Sequence, residues 1–254
     1  MPAHHIVPLS SKNHASLTYR TLNDYSFATS KTTVPLLTFE VPSAAECYPI
    51  IFADEKSAVP YALLGLGDKN IFVDDQGHWK APYLPLLIAN YPFSIIEARF
   101  TADSEGKRRE TEYAVGIDED AAQFHASDGE PLFDSDGKVT ETLTRIRNAL
   151  LAQYRRHNAV SQDLSELRKV LITRSVTVQY NGVTKNVGGL RCVDQEKIFA
   201  MPNEILGKWV KSGMIEMVYA HWRSMRNLRR LLEDPSCPEG NKKESNYAQP
   251  LTGN

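Results

Sequence analysis

Cysteine is scarce in this chain. Cys47, Cys192 and Cys237 are the three among 254 residues. An odd, sparse set with no CxxC spacing fits a reducing compartment rather than a disulfide framework. Long apolar runs are missing. The most apolar stretch, residues 83–96, is cut by Pro85, Asn90 and Pro92. It falls short of the ~20 apolar residues that span a bilayer, so no membrane insertion is expected. The opening MPAHHIVPLSSKNHASL lacks a basic segment followed by an apolar one. No secretory leader is read there, and a cytoplasmic location is expected. A dominant charge is missing too, since 29 Lys and Arg stand against 31 Asp and Glu. That balance makes a nucleic-acid partner unexpected but leaves room for a local basic patch.

Signatures of chemistry are equally thin. Gly65-Leu66-Gly67 lacks the third glycine of a dinucleotide fingerprint, and a strand rather than a helix is expected after it. No GxxxxGK[ST] loop and no GxSxG elbow occur. Asp134, Asp136 and Glu141 invite a calcium loop, but Gly137 and Arg145 stand where the loop geometry fails. The seven histidines contain no HxxxH pair and no facial triad. His221, between apolar positions of the last helix, reads as a packed core histidine. Neither Cys47 nor Cys192 has a visible base beside it. No catalytic residue, cofactor or metal site is expected.

What is present is an ordinary globular composition, 42% hydrophobic and 24% charged. Residues 1–30 read as an N-terminal arm with at most one short strand. Residues 31–120 read as a β-rich half. Strands are expected at VPLLTFEVP (34–42), YPIIFA (48–53), VPYALLGLG (59–67), NIFVD (70–74), FSIIEARF (93–100) and TEYAVGID (111–118). Short helical turns are expected after Pro42 and Pro85. An acidic connector over 121–138 leads into a helical half, 139–233. There the apolar positions Leu143, Ile146, Leu150 and Tyr154 follow helical spacing. Asn181-Gly182 between alternating segments codes a hairpin over 176–187. The Pro-, Gly- and Lys-rich residues 234–254 read as a disordered tail. No internal repeat is read. The expected fold class is α+β, an antiparallel β-rich half packed on a helical half containing a hairpin. Residues 1–233 can also form one domain.

Two residue sets stand out as candidate binding faces. Trp79, Tyr83, Tyr91 and Phe93 cluster with prolines, and Trp and Tyr supply large contact area with a polar tip. They line either a rigid core or a partner surface. Arg223, Arg226 and Arg230 fall on one face of the last helix. They complement its dipole, or they bind phosphate or an acidic partner.

Several stretches together resemble the SapC-like family: ALLGLGDKNIFVDDQGHWKAPYLPLLIANYPF (62–93), GIDEDA (116–121), GEPLFDSDG (129–137), GGLRCVDQEKIFAMPNEIL (188–206) and MIEMVYAHWRSMRNLRRLL (214–232). The resemblance implies a bacterial protein of a family named for surface-layer gene clusters. Its relatives are often encoded beside outer-membrane receptors and flavin-dependent halogenase-like enzymes. It carries over no catalytic residue. The unrelated peptide-transporter permease of the same name does not fit a chain without membrane spans. The expected function is a non-catalytic accessory or partner-binding protein. Its alternatives are a small-molecule binder or enzyme with a pocket between the halves near Trp79 and Tyr91, and a nucleic-acid binder through the C-terminal helices.

Overall fold

The computed structural model describes residues 6–53, 58–102, 108–125, 128–161, 164–180 and 182–232. His4, His5, Cys237, the expected tail, most of the 102–110 loop and Asn181 of the hairpin turn lie outside these residues. The described chain is α+β, with antiparallel sheets in the N-terminal part and helices around a hairpin in the C-terminal part.

The strands are β1 (Ile6–Pro8), β2 (Thr18–Tyr19), β3 (Thr33–Pro35), β4 (Ile50–Phe52), β5 (Pro60–Leu63), β6 (Phe93–Ala102), β7 (Arg108–Asp118), β8 (Glu130–Pro131), β9 (Leu171–Tyr180) and β10 (Val183–Val193). The helices are α1 (Ser11–His14), α2 (Val41–Ala44), α3 (Leu86–Ala89), α4 (Glu141–Ser161), α5 (Leu164–Leu167), α6 (Gln195–Phe199), α7 (Asn203–Ser212) and α8 (Met214–Ser224). None of them is long and apolar enough to cross a membrane among the described residues.

Two expected strands are shorter than the sequence pattern. After Pro35 the chain turns into a 3-10 helix, Thr38–Glu40, because Glu40 Oε2 accepts from the Leu37 amide at 2.8 Å and closes the turn. In NIFVD only Val73 makes a bridge, to Trp79. Asn70, fully buried, takes the Phe72 amide on its Oδ1 at 2.9 Å and donates to the Ala28 carbonyl at 3.2 Å. That side chain competes with the ladder a strand would need. The hairpin β9–β10 outruns its expected limits on both sides, with a bulge between Val187 and Leu190 at the left-handed Gly189.

The structure contains an internal repeat that no fixed sequence period announces. The three-stranded sheets have orders β3-β5-β4 and β1-β7-β6, each a hairpin joined by an N-terminal strand. Both joining strands run Val-Pro-Leu, Val34–Leu36 and Val7–Leu9. Leu36 N donates to Pro60 O at 2.8 Å, and Leu9 N donates to Val115 O at 2.9 Å. Both hairpins open on Tyr-Pro: Leu63 N donates to Pro49 O at 2.9 Å, and Asp118 N donates to Pro92 O at 3.1 Å. Each ends on an Asp-x-x-Gly turn. Asp74 Oδ1 takes the amides of Gln76 and His78, and Asp134 Oδ1 takes those of Asp136 and Lys138, all within 2.8–2.9 Å. The copies are interleaved, with β1 of one lying ahead of the whole of the other, so spacing along the chain hides them.

Two apolar clusters result. The first joins Val34, Ile50, Ala62 and Phe72 to Leu167, Val178, Met217 and Leu228, so both ends of the chain share it. The second gathers Phe93, Ile117, Phe124, Leu132, Leu143 and Leu150, with Val7 and Leu9 from the arm. Segment 121–138 thus lends Ala121, Phe124, Leu132 and Phe133 to that core. Helix α4 starts where Thr140 Oγ1 accepts from the Leu143 amide at 3.4 Å, an N-cap interaction. Helix α7 ends at Gly213, whose φ of 81° suits glycine.

Candidate functional site

The aromatic set is divided between the two clusters and faces inward. Trp79 Nε1 donates to Tyr48 Oη at 3.0 Å and to the Tyr83 carbonyl at 3.1 Å. Tyr48, fully buried, donates its own hydroxyl to the Tyr83 carbonyl. Tyr83 donates to Glu40 Oε1 at 2.8 Å, which also takes the Leu86 amide at 2.7 Å. Glu40 therefore pins the start of α3 to the 3-10 turn it closes. Its burial raises the carboxyl above the usual range even with three donors on it. Burial also raises the Tyr48 and Tyr83 phenols. Tyr91 stacks on Phe27, with centroids 3.9 Å apart, and donates to the buried Asp118 Oδ2 at 2.9 Å. Phe93 sits edge-on to Tyr19 at 4.8 Å and packs on Phe124. The polar tips of Trp79, Tyr83 and Tyr91 are all satisfied within the protein.

The last helix behaves differently on its two sides. Beyond Ser224 it tightens into a 3-10 helix, Met225–Leu232. Residues three apart then eclipse one another. On the inner side His221, Ser224, Asn227 and Arg230 form one polar column against segment 45–50. Val193 N donates to His221 Nε2 at 3.1 Å, so Nδ1 carries the proton and donates to Ile50 O at 2.8 Å. Ile50 N donates to Ser224 Oγ at 2.9 Å. Asn227 Nδ2 reaches Ala45 O at 2.8 Å and Tyr48 O at 3.3 Å, and Arg230 Nη1 reaches Cys47 O at 3.3 Å. The column does the work of a neighbouring strand for the free edge of β4. His221 is a packed core histidine whose pKa burial pushes down to about 4.

On the outer side the tightened pitch aligns Arg223 and Arg226 with Arg229 rather than with Arg230. All three are exposed. No ion pair or hydrogen bond engages them among the described residues. Beside them Tyr219 is 52% exposed and packs edge-on to Trp222 at 5.3 Å. Phe199, 66% exposed, lies against the same indole at 6.3 Å. Trp222 is fixed by its Nε1 bond to Val193 O at 3.0 Å. Residues 219, 222, 223 and 226 are helical neighbours, so two exposed aromatic rings and the arginines form one surface. Sequence patterning missed Phe199 and Tyr219, because both fall off the apolar stripe of their helices. That departure is itself the signal, since a large apolar ring off the stripe has no core to enter.

Arg230 instead borders a groove of about 530 Å³ with Lys69, Lys80, Asp74 and Asp75. Within it Lys69 pairs with Asp75 at 3.5 Å. Among the described residues, no three His, Cys, Asp or Glu side chains converge as a metal site.

No curated protein and no solved structure matches the chain. The sequence profile of the SapC family matches residues 9–231. That span takes in one copy of the repeat whole, the other without its joining strand β1, the hairpin and nearly all of the last helix: the chain belongs to the SapC family.

Proposed function

We propose that the protein is a non-catalytic partner-binding protein, and that the outer face of α8 docks an acidic protein segment. The observation that carries this reading is the exposed pair Tyr219 and Phe199 on Trp222 beside Arg223, Arg226 and Arg229. Exposed large aromatics are costly unless covered, and aromatic and arginine residues dominate binding hot spots. Arginines that meet no carboxylate among the described residues suit one supplied by a partner. The family resemblance supports a finer reading, an accessory of surface-layer or outer-membrane uptake systems.

The test is a tagged pull-down from the native host, with soluble and membrane fractions separate, comparing wild type with an Arg223→Glu/Arg226→Glu/Tyr219→Ala variant. A co-purifying protein that disappears with the variant, while melting temperature holds, supports the reading. Equal recovery with both ends it. A nucleic-acid occupant would appear instead as a mobility shift that weakens steeply with salt.

A further inference from the structure

Helix α4 turns one face toward the second cluster. Its stripe begins with Leu143, Ile146 and Leu150, as a core stripe should. One turn later the same face carries Gln153, Tyr154 and His157, at i+3, i+4 and i+7 from Leu150. The stripe turns polar where a cavity of about 230 Å³ opens between α4, α3 and the exit of β3. Leu36 of the first cluster and Phe93 and Leu150 of the second line it, so it lies in the seam between the clusters. Leu87, 49% exposed, also lines it, an apolar side chain open to solvent at the cavity.

Three of the polar side chains at this cavity, His157, Gln153 and Asn90, have defined roles. The Thr38 amide donates to His157 Nδ1 at 3.1 Å, so the proton of the neutral ring is on Nε2. Burial lowers the His157 pKa and so favours the neutral ring. Asn90 Nδ2 donates to Gln153 Oε1 at 2.6 Å. The remaining Gln153 Nε2 hydrogens are donors, and the remaining Asn90 Oδ1 is an acceptor. Largely apolar walls with N–H donors on His157 and Gln153, a carbonyl acceptor on Asn90 and the hydroxyls of Ser94 and Tyr154 match a small amphipathic molecule better than an ion.

We infer that this cavity is a binding site for a small uncharged amphipathic compound, an apolar body carrying a carbonyl group that accepts from His157 and Gln153. Its volume equals roughly eight waters at ~30 Å³ each, which limits the ligand to about ten non-hydrogen atoms. The site is separate from the α8 face and stands or falls independently of it.

Octanamide is a suitable probe, and octylammonium of equal chain length is its control, since it offers no acceptor. Calorimetry on the full chain is expected to give a Kd below about 1 mM for octanamide and at least tenfold weaker binding for octylammonium. Methyl NMR should move Leu87 and Leu150 first. A Gln153→Leu/His157→Leu variant keeps the walls and removes the donors, and should weaken octanamide at least tenfold. The wild-type shift map reads the site even if that variant folds poorly. No binding of octanamide at several millimolar, or methyl shifts confined to other regions, would overturn the inference and leave a water-filled cleft.

Discussion

His221 Nδ1 donates to the carbonyl of Ile50 across 171 residues of sequence, at 2.8 Å and fully buried. Burial and the Val193 amide on Nε2 hold the ring neutral, against the Ile50 bond, which by itself favours the protonated form. A proton added to Nε2 would face the Val193 N–H and lose its water shell.

Stability should therefore depend on pH through this residue. The folded pKa is pushed down to about 4 from 6.5, so the unfolded chain binds the proton first. The contribution is fully present above 6.5 and is lost as pH falls toward about 4, amounting to about 3 kcal/mol. His157, also lowered by burial, adds in the same direction. Urea unfolding at pH 7 and pH 4.5 checks this. A His221→Gln variant should be weaker at pH 7 and lose less on acidification; equal losses in both proteins would refute the assignment.

Within the polar column, burial should decide the cost of each loss. Asn227→Leu leaves the carbonyls of Ala45 and Tyr48 without their donor inside the core, at a cost of about 2–3 kcal/mol. Arg230→Ala removes a 3.3 Å bond from an exposed side chain and should cost under ~1 kcal/mol. Chemical denaturation of both variants gives the comparison directly.

The two Asp-x-x-Gly turns should respond unequally to the same substitution. Both glycines have positive φ, 81° at Gly77 and 75° at Gly137. A Cβ on Gly77 would also meet Asp24 Oδ1 at 2.3 Å, whereas on Gly137 the nearest atom is 3.6 Å away. Gly137→Ala should cost about 1 kcal/mol from backbone strain alone, and Gly77→Ala measurably more. Equal melting temperatures would mean that the arm yields freely at Asp24.

Glu40 should tolerate no neutral replacement. Glu40→Gln turns an acceptor oxygen into an amide that faces either the Leu37 amide or the Tyr83–Leu86 pair. A loss of about 1–3 kcal/mol is expected. Tyrosine fluorescence followed through unfolding would report the freed Tyr83.

Much of the secondary structure was legible. Alternation and the Asn-Gly code located β9 and β10, and helical spacing located α4 and α8. The VPLLTFEVP pattern misled because Glu40 closes a turn by a side-chain bond, which hydropathy does not register. Arg230 left its expected face because the helix pitch changes after Ser224, and that change accompanies bonds to residues 45–50, far away in sequence. Gln153 and His157 drew no notice, since a polar residue on an inner stripe gains meaning only when a cavity is seen beside it.

The sequence by itself determined most of the elements, many of their turns and the family, because propensity, periodicity and positive-φ glycine act over a few residues. Only the tertiary structure decided that Val7 pairs with Ile117 while Val34 pairs with Ala62, and so that two interleaved copies exist. It alone decided which aromatic rings face inward and which face solvent. Those choices rest on backbone hydrogen bonds and burial between distant segments, and no local pattern encodes which distant partner a strand will meet.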